Sequence, residues 1–142
     1  MHCIILPFCV KKLCDILMNV ILQIALGGAL GAILRFAAVQ AMVRVFSVGS
    51  PLGTIFVNLF GSFLMGFVAV WMLERIGDAK AAPFMMVGVL GGFTTFSTFS
   101  LDAISLWEQG RQTFAMVYVT GSVVGAIFAL MAGAMIMRAI LA

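Results

Sequence analysis

Charge is scarce in this sequence. Asp, Glu, Lys and Arg make up 9% of 142 residues, and 64% are hydrophobic, whereas a soluble domain carries about 25% charged residues. A water-soluble fold of this composition would expose apolar patches that soluble monomers avoid. The net charge of +3 is scattered, which speaks against nucleic acid as a partner, since that needs a clustered basic face. Histidine occurs once, as His2. No Ser-His-Asp set, HExxH motif or intramembrane histidine can be assembled, so the chain does not read as an enzyme. The three cysteines, Cys3, Cys9 and Cys14, crowd into the first 14 residues. Their spacing fits no zinc pattern, and they read as unpaired thiols.

What fills the chain is long apolar runs. A helix needs about 20 apolar residues to cross a bilayer, and the length allows four crossings with short connections. The expected fold is an all-α integral membrane protein in lipid, with one four-span domain over residues 18–142. Residues 1–17 stand apart. Their apolar run, Ile4 to Val10, is too short to span, is broken by Pro7, and lacks the order of a signal peptide. They read as an N-terminal extension, with Met18 as the natural start.

The spans are expected at about Val20–Val43, Gly53–Leu73, Ala81 or Pro83 to Leu101, and Phe114–Ile140. Gly27 and Gly31, Gly28 and Ala32, and Gly121 and Gly125 are small residues four apart, a spacing that lets membrane helices approach closely. The loops carry Arg44 and Gly49, then Glu74, Arg75, Asp78 and Lys80, then Glu108 and Arg111. Counting Lys and Arg outside the spans, one side holds Lys11, Lys12, Arg75, Lys80 and Arg138 and the other holds Arg44 and Arg111. Without residues 1–17 the contest is three against two, which barely instructs orientation. A chain so balanced is expected to insert both ways, whereas Lys11 and Lys12 favour the N-terminus inside.

No carboxylate falls within these boundaries, since Asp15, Glu74, Asp78, Asp102 and Glu108 all lie at ends or in loops. That argues against a proton-coupled carrier, which keeps an ionisable residue in the membrane, and against a cation pore ringed with acids. The spans hold donors instead. Thr54, Asn58 and Ser62 lie four apart on one helix face, as do Tyr118 and Ser122. Asn58 serves either as interhelical hydrogen-bond glue or as part of a site. Arg35, late in the first span, either snorkels to the interface or faces a watery vestibule.

One stretch departs from the rest. Gly91-Gly92-Phe93-Thr94-Thr95-Phe96-Ser97-Thr98-Phe99-Ser100 interleaves hydroxyls with phenylalanines behind two glycines, midway through an apolar run. Glycine permits a helix break, and hydroxyls satisfy the backbone groups a break frees. An interrupted helix survives in a bilayer only where it lines a cavity or is buried in protein. Phe96 and Phe99 share a helix face, and an aromatic ring is positive at its edge. Donors and ring edges with no buried acid suit an anion.

The segments Gly53–Ser62 and Gly91–Ser100 together resemble the fluoride channel family (Fluc, also called CrcB). Gly27 to Ala32 with Arg35 is similar to that family's first span. The resemblance runs from about Met18 to the C-terminus and leaves residues 1–17 outside. It implies a four-span subunit with its third helix broken near the middle, paired as a dual-topology antiparallel homodimer with two narrow pores in the bacterial inner membrane. It implies that Phe96 and Phe99 line the pore with Asn58, that Thr98, Tyr118 and Ser122 belong to a polar track, and that Arg35 is the first-span arginine. It implies a structural Na⁺ at the dimer axis, held by backbone carbonyls of Gly91 and Thr94. Asp102 matches an acid that some members carry, and little weight rests on it.

The expected activity is passive export of fluoride. Fluoride enters cells as HF and is trapped as the anion in a near-neutral cytoplasm. An inside-negative potential drives an anion outward at about 2.3 kcal/mol per charge per 100 mV, so a selective channel suffices. The rivals are a small multidrug-type carrier, which would want a glutamate in its first span, and a membrane scaffold that transports nothing.

Overall fold

The structure is a computed structural model that describes residues 5–46, 50–76 and 79–142. Of the residues singled out above, His2, Cys3, Ile4, Gly49 and Asp78 lie outside the described residues. Helices account for nearly all of the rest: α1 (Ile5–Phe46), α2 (Ser50–Trp71), α3 (Gly91–Phe93), α4 (Phe96–Glu108) and α5 (Gln112–Leu141). Wide π-helical turns extend α2 over Met72–Ile76 and lead into α3 over Pro83–Leu90. Pro83 sits in the first turn of that segment, where its missing N–H costs nothing.

Four helical stretches are long and apolar enough to cross a membrane: Ile16–Val45, Pro51–Glu74, Pro83–Glu108 and Gln112–Leu141. The protein is therefore a multi-pass membrane protein. Three of the expected boundaries agree to within a few residues. The third does not. The sequence put its end near Leu101, because Asp102 looked like a terminus, but the helix continues seven residues further, to Glu108. Asp102 is thus inside the span, contrary to the expectation that no carboxylate lies there.

Helix contacts explain the glycines. The first span lies along the third, with Gly27 and Gly31 buried between them. A Cβ on Gly27 would stand 3.0 Å from the Cα of Gly88, and one on Gly88 would stand 2.8 Å from the Cα of Gly27. With little apolar driving force between helices in lipid, backbone approach of this kind maximises van der Waals contact. The other extensive helix pair is α2 with α5. A Cβ on Gly66 would strike the carbonyl of Leu130, and one on Gly133 would strike the carbonyl of Phe63. Of the expected pair Gly121 and Gly125, only Gly125 faces α2. Among the described residues a Cβ on Gly121 would meet nothing within 4 Å, and one on Gly125 would meet the Leu59 side chain at ordinary contact distance.

Between α3 and α4 the backbone leaves helical geometry for two residues. Thr94 has φ −80° and ψ 156°, and Thr95 has φ −148° and ψ 120°. Gly91 is helical, with φ −65° and ψ −37°. The departure from helix therefore does not lie at the glycines, of which Gly92 packs against the carbonyl of Gly28. The extended residues are threonines, whose hydroxyls supply bonds that water would give a helix end elsewhere.

Candidate functional site

The site is built on the two extended threonines. The Thr95 N–H donates to Asn58 Oδ1 at 2.8 Å, and Asn58 Nδ2 donates to the Thr95 carbonyl at 3.0 Å. One amide side chain on α2 thus satisfies both backbone groups of an extended residue in the third span. The Thr95 hydroxyl accepts from Thr98 N–H at 3.2 Å and donates to Thr98 Oγ1 at 3.0 Å, which makes it the N-cap of α4. Thr94 folds back, its N–H and its hydroxyl both donating to the Leu90 carbonyl, at 3.1 and 3.0 Å.

These bonds have a consequence for two carbonyls. In a continuous helix the Thr95 N–H would serve Gly91 and the Thr98 N–H would serve Thr94. Here those donors go to Asn58 and to the Thr95 hydroxyl. The carbonyls of Gly91 and Thr94 lose their helical donors together.

Beside the threonines lies a groove of about 270 Å³ between α2, the α3–α4 junction and α5. Asn58, Gly61, Ser62 and Met65 line it from α2, at the spacing of one helix face. Thr94, Thr95, Phe96 and Phe99 line it from the third span, and Ser122, Val123, Ala126 and Leu130 line it from α5. No carboxylate is among these residues. An amide nitrogen carries two hydrogens, and Asn58 spends one on Thr95. Ser122 Oγ is buried without a hydrogen-bond partner among the described residues, so its O–H is a donor at the groove wall.

Phe96 and Phe99 stand side by side, ring centroids 5.4 Å apart. Their environments differ: Phe99 is 7% exposed and Phe96 is 77% exposed. Phe99 stacks in turn on Tyr118, centroids 5.4 Å apart at 24°. Tyr118 is buried and takes no part in the groove lining. Thr98 reaches the site through Thr95. Arg35, half-buried on α1, is not among the groove-lining residues.

Asp102 is the residue the sequence undervalued. It is 9% exposed, and its Oδ2 accepts from Thr54 Oγ1 at 2.7 Å and from the Tyr118 hydroxyl at 3.3 Å. Hydroxyls from two other helices meet this carboxylate, which is how a charge is tolerated in a span. The spacing held a signal. Thr54 lies one helical turn before Asn58, so the face that carries Asn58 to Thr95 must also carry Thr54 toward α4.

Other proteins resemble this chain in sequence. The family described as CrcB-like protein, Camphor Resistance (CrcB) matches residues 22–134. A protein of Cereibacter sphaeroides named fluoride-specific ion channel FluC is 51% identical over 113 residues, covering 80% of this chain and 90% of its own length. One of Paracoccus denitrificans with the same name is 46% identical over 121 residues, covering 85% and 96%. One of Rhizobium meliloti, again of that name, is 44% identical over 123 residues, covering 86% and 98%. With a family match across four-fifths of its length and relatives this similar, the chain belongs to the CrcB family.

Proposed function

We propose that this protein is a passive fluoride channel, not an enzyme, that releases cytoplasmic fluoride and so protects the cell. The observation that carries the proposal is the groove beside Thr95. Its polar atoms include the spare hydrogen of Asn58 and the unpartnered hydroxyl of Ser122, it has the paired rings of Phe96 and Phe99, and it contains no acid. Donors and ring edges can replace part of the hydration shell of a small anion, which is what selectivity requires. The close relatives bear the name of such a channel.

The roles follow from position. Asn58, Phe96, Phe99 and Ser122 touch the ion. Thr98 orders the junction through Thr95, Tyr118 backs Phe99, and Arg35 supplies positive charge outside the groove. Asp102 does not contact the ion in this reading; it anchors Thr54 and Tyr118 behind the wall.

The third span works as a helix interrupted at Thr94 and Thr95. Phe96 is 77% exposed in one subunit, which fits a path completed by a second copy in an antiparallel homodimer inserted both ways in the bacterial inner membrane. The carbonyls of Gly91 and Thr94, relieved of their helical donors, are hard oxygen ligands of the kind that suits a structural Na⁺. Both are backbone groups, so side-chain replacement there alters the site only through the fold.

A growth assay tests the function. In a bacterium lacking its own fluoride exporter, expression of this chain should restore growth at fluoride concentrations that stop the vector control. Equal sensitivity with the protein present in the membrane would refute the proposal. A multidrug-type carrier would instead give resistance to organic cations and none to fluoride.

A further inference from the structure

A second groove, of about 480 Å³, lies on the other side of α2 from the first. Phe56 and Phe60 line it from α2, whereas Asn58, Gly61 and Ser62 face the groove beside Thr95. Leu34, Ala38 and Ala41 form its wall on α1, and Phe93 closes it from the third span. Every residue that lines it is apolar, so water finds no side chain to bond there. Leu34 is 44% exposed and Phe56 40%, so the groove opens outward. It runs along α1, since Ala41 lies seven residues beyond Leu34, a rise of about 10 Å. Arg44 follows in the last turn of α1, at the end of the membrane span Ile16–Val45. It is exposed, and no ion pair engages it among the described residues.

We infer that this groove binds one acyl chain of an anionic phospholipid, with the lipid phosphate at Arg44. A methylene takes up roughly the 30 Å³ of a water molecule, so 480 Å³ holds on the order of sixteen, about one chain. The chain lies at the depth of the hydrocarbon, and Arg44 lies at the interface, where phosphates are found. A guanidinium holds a phosphate through two parallel hydrogen bonds. The acyl chain gives the walls dispersion contacts that they otherwise lack. The second copy proposed above completes the path at Phe96, which lines the other groove, and so leaves this one to lipid. Phe93 gives the site a consequence. Its ring meets Phe60 edge-on, centroids 6.3 Å apart, and it precedes Thr94, so a seated chain supports the irregular junction from behind. The inference does not depend on which ion the other groove passes.

Native mass spectrometry of the full chain, released from micelles holding equal amounts of phosphatidylglycerol and phosphatidylcholine, tests this inference. The first lipid retained by the wild type should be phosphatidylglycerol over phosphatidylcholine by about fivefold. Arg44→Gln should bring the two lipids within ~twofold of each other. Arg111→Gln, which removes a cation outside this groove, should keep the preference. Ala38→Phe, which fills the groove, should lose the bound lipid while eluting as wild type. No lipid retained by the wild type, or an unchanged preference in Arg44→Gln, would overturn the inference. So would an equal fall in Arg111→Gln, which would make the effect one of surface charge in general. A change of oligomeric size in Ala38→Phe with lipid retention intact would overturn it too, and assign the groove to a second copy. If Ala38→Phe does not fold, the two arginine variants decide alone.

Discussion

Asp102 gathers Thr54 from α2 and Tyr118 from α5 around one carboxylate oxygen. Asp102→Ala removes one acceptor from each of the two hydroxyls, at a cost of about 1–3 kcal/mol. The thermal midpoint of the detergent-solubilised protein should fall accordingly, and Asp102→Asn, which keeps an acceptor oxygen, should lose less. An unchanged midpoint in Asp102→Ala would show that these bonds add nothing. This residue also marks where the sequence misled. A charged side chain at the end of an apolar run reads as a helix end, because charge is costly in lipid. Only the three-dimensional meeting of Thr54 and Tyr118 makes the carboxylate tolerable, and their separations of 48 and 16 residues hide that meeting from any local window. Asn58 was more legible. An amide in mid-span must have a partner, and Asn58 bonds Thr95 while lining the groove, so the bonding role leaves room for the proposed site role.

At the scale of elements, apolar length alone placed the four spans, because the bilayer imposes one length on every crossing. The seams between them were only half legible. Small residues four apart mark candidate contacts, but the partner face decides which are used. Gly27 and Gly31 meet the third span, whereas Gly121 looks outward and the α2–α5 seam rests on Gly66 and Gly133. Gly66→Ala should therefore lower the yield of folded protein sharply, since its Cβ would meet the backbone of Leu130, which cannot move aside. Gly121→Ala should be neutral. Size-exclusion recovery of the two variants checks this, and equal recoveries would contradict the packing described. The extended pair Thr94 and Thr95 teaches the same lesson. The irregular backbone falls on the threonines and not on the two glycines before them, of which Gly92 packs against Gly28 of α1.

For the whole molecule, the balance of charge outside the membrane predicts its placement. Glu74 and Arg138 pair loosely at 3.8 Å and are both well exposed, so the pair adds little to stability, and Arg138 counts more through the Lys and Arg bias that sets orientation. A reporter active on one side of the membrane, fused to the C-terminus, should give signal in both the cytoplasmic and the periplasmic version. Signal from only one version would rule out dual insertion and with it the antiparallel pairing. If Lys11 and Lys12 govern orientation, their replacement by glutamine should move the two signals toward equality.

Passage of fluoride past the donors and ring edges beside Thr94 and Thr95 is tested in liposomes loaded with fluoride and containing only this purified protein. With a potassium gradient and ionophore to carry the compensating charge, fluoride should leave rapidly while chloride stays. Asn58→Asp, which replaces the donor nitrogen with a charged acceptor, should reduce the rate on the order of a hundredfold. Fluoride retained by the wild-type protein, or chloride released as fast as fluoride, would contradict the account.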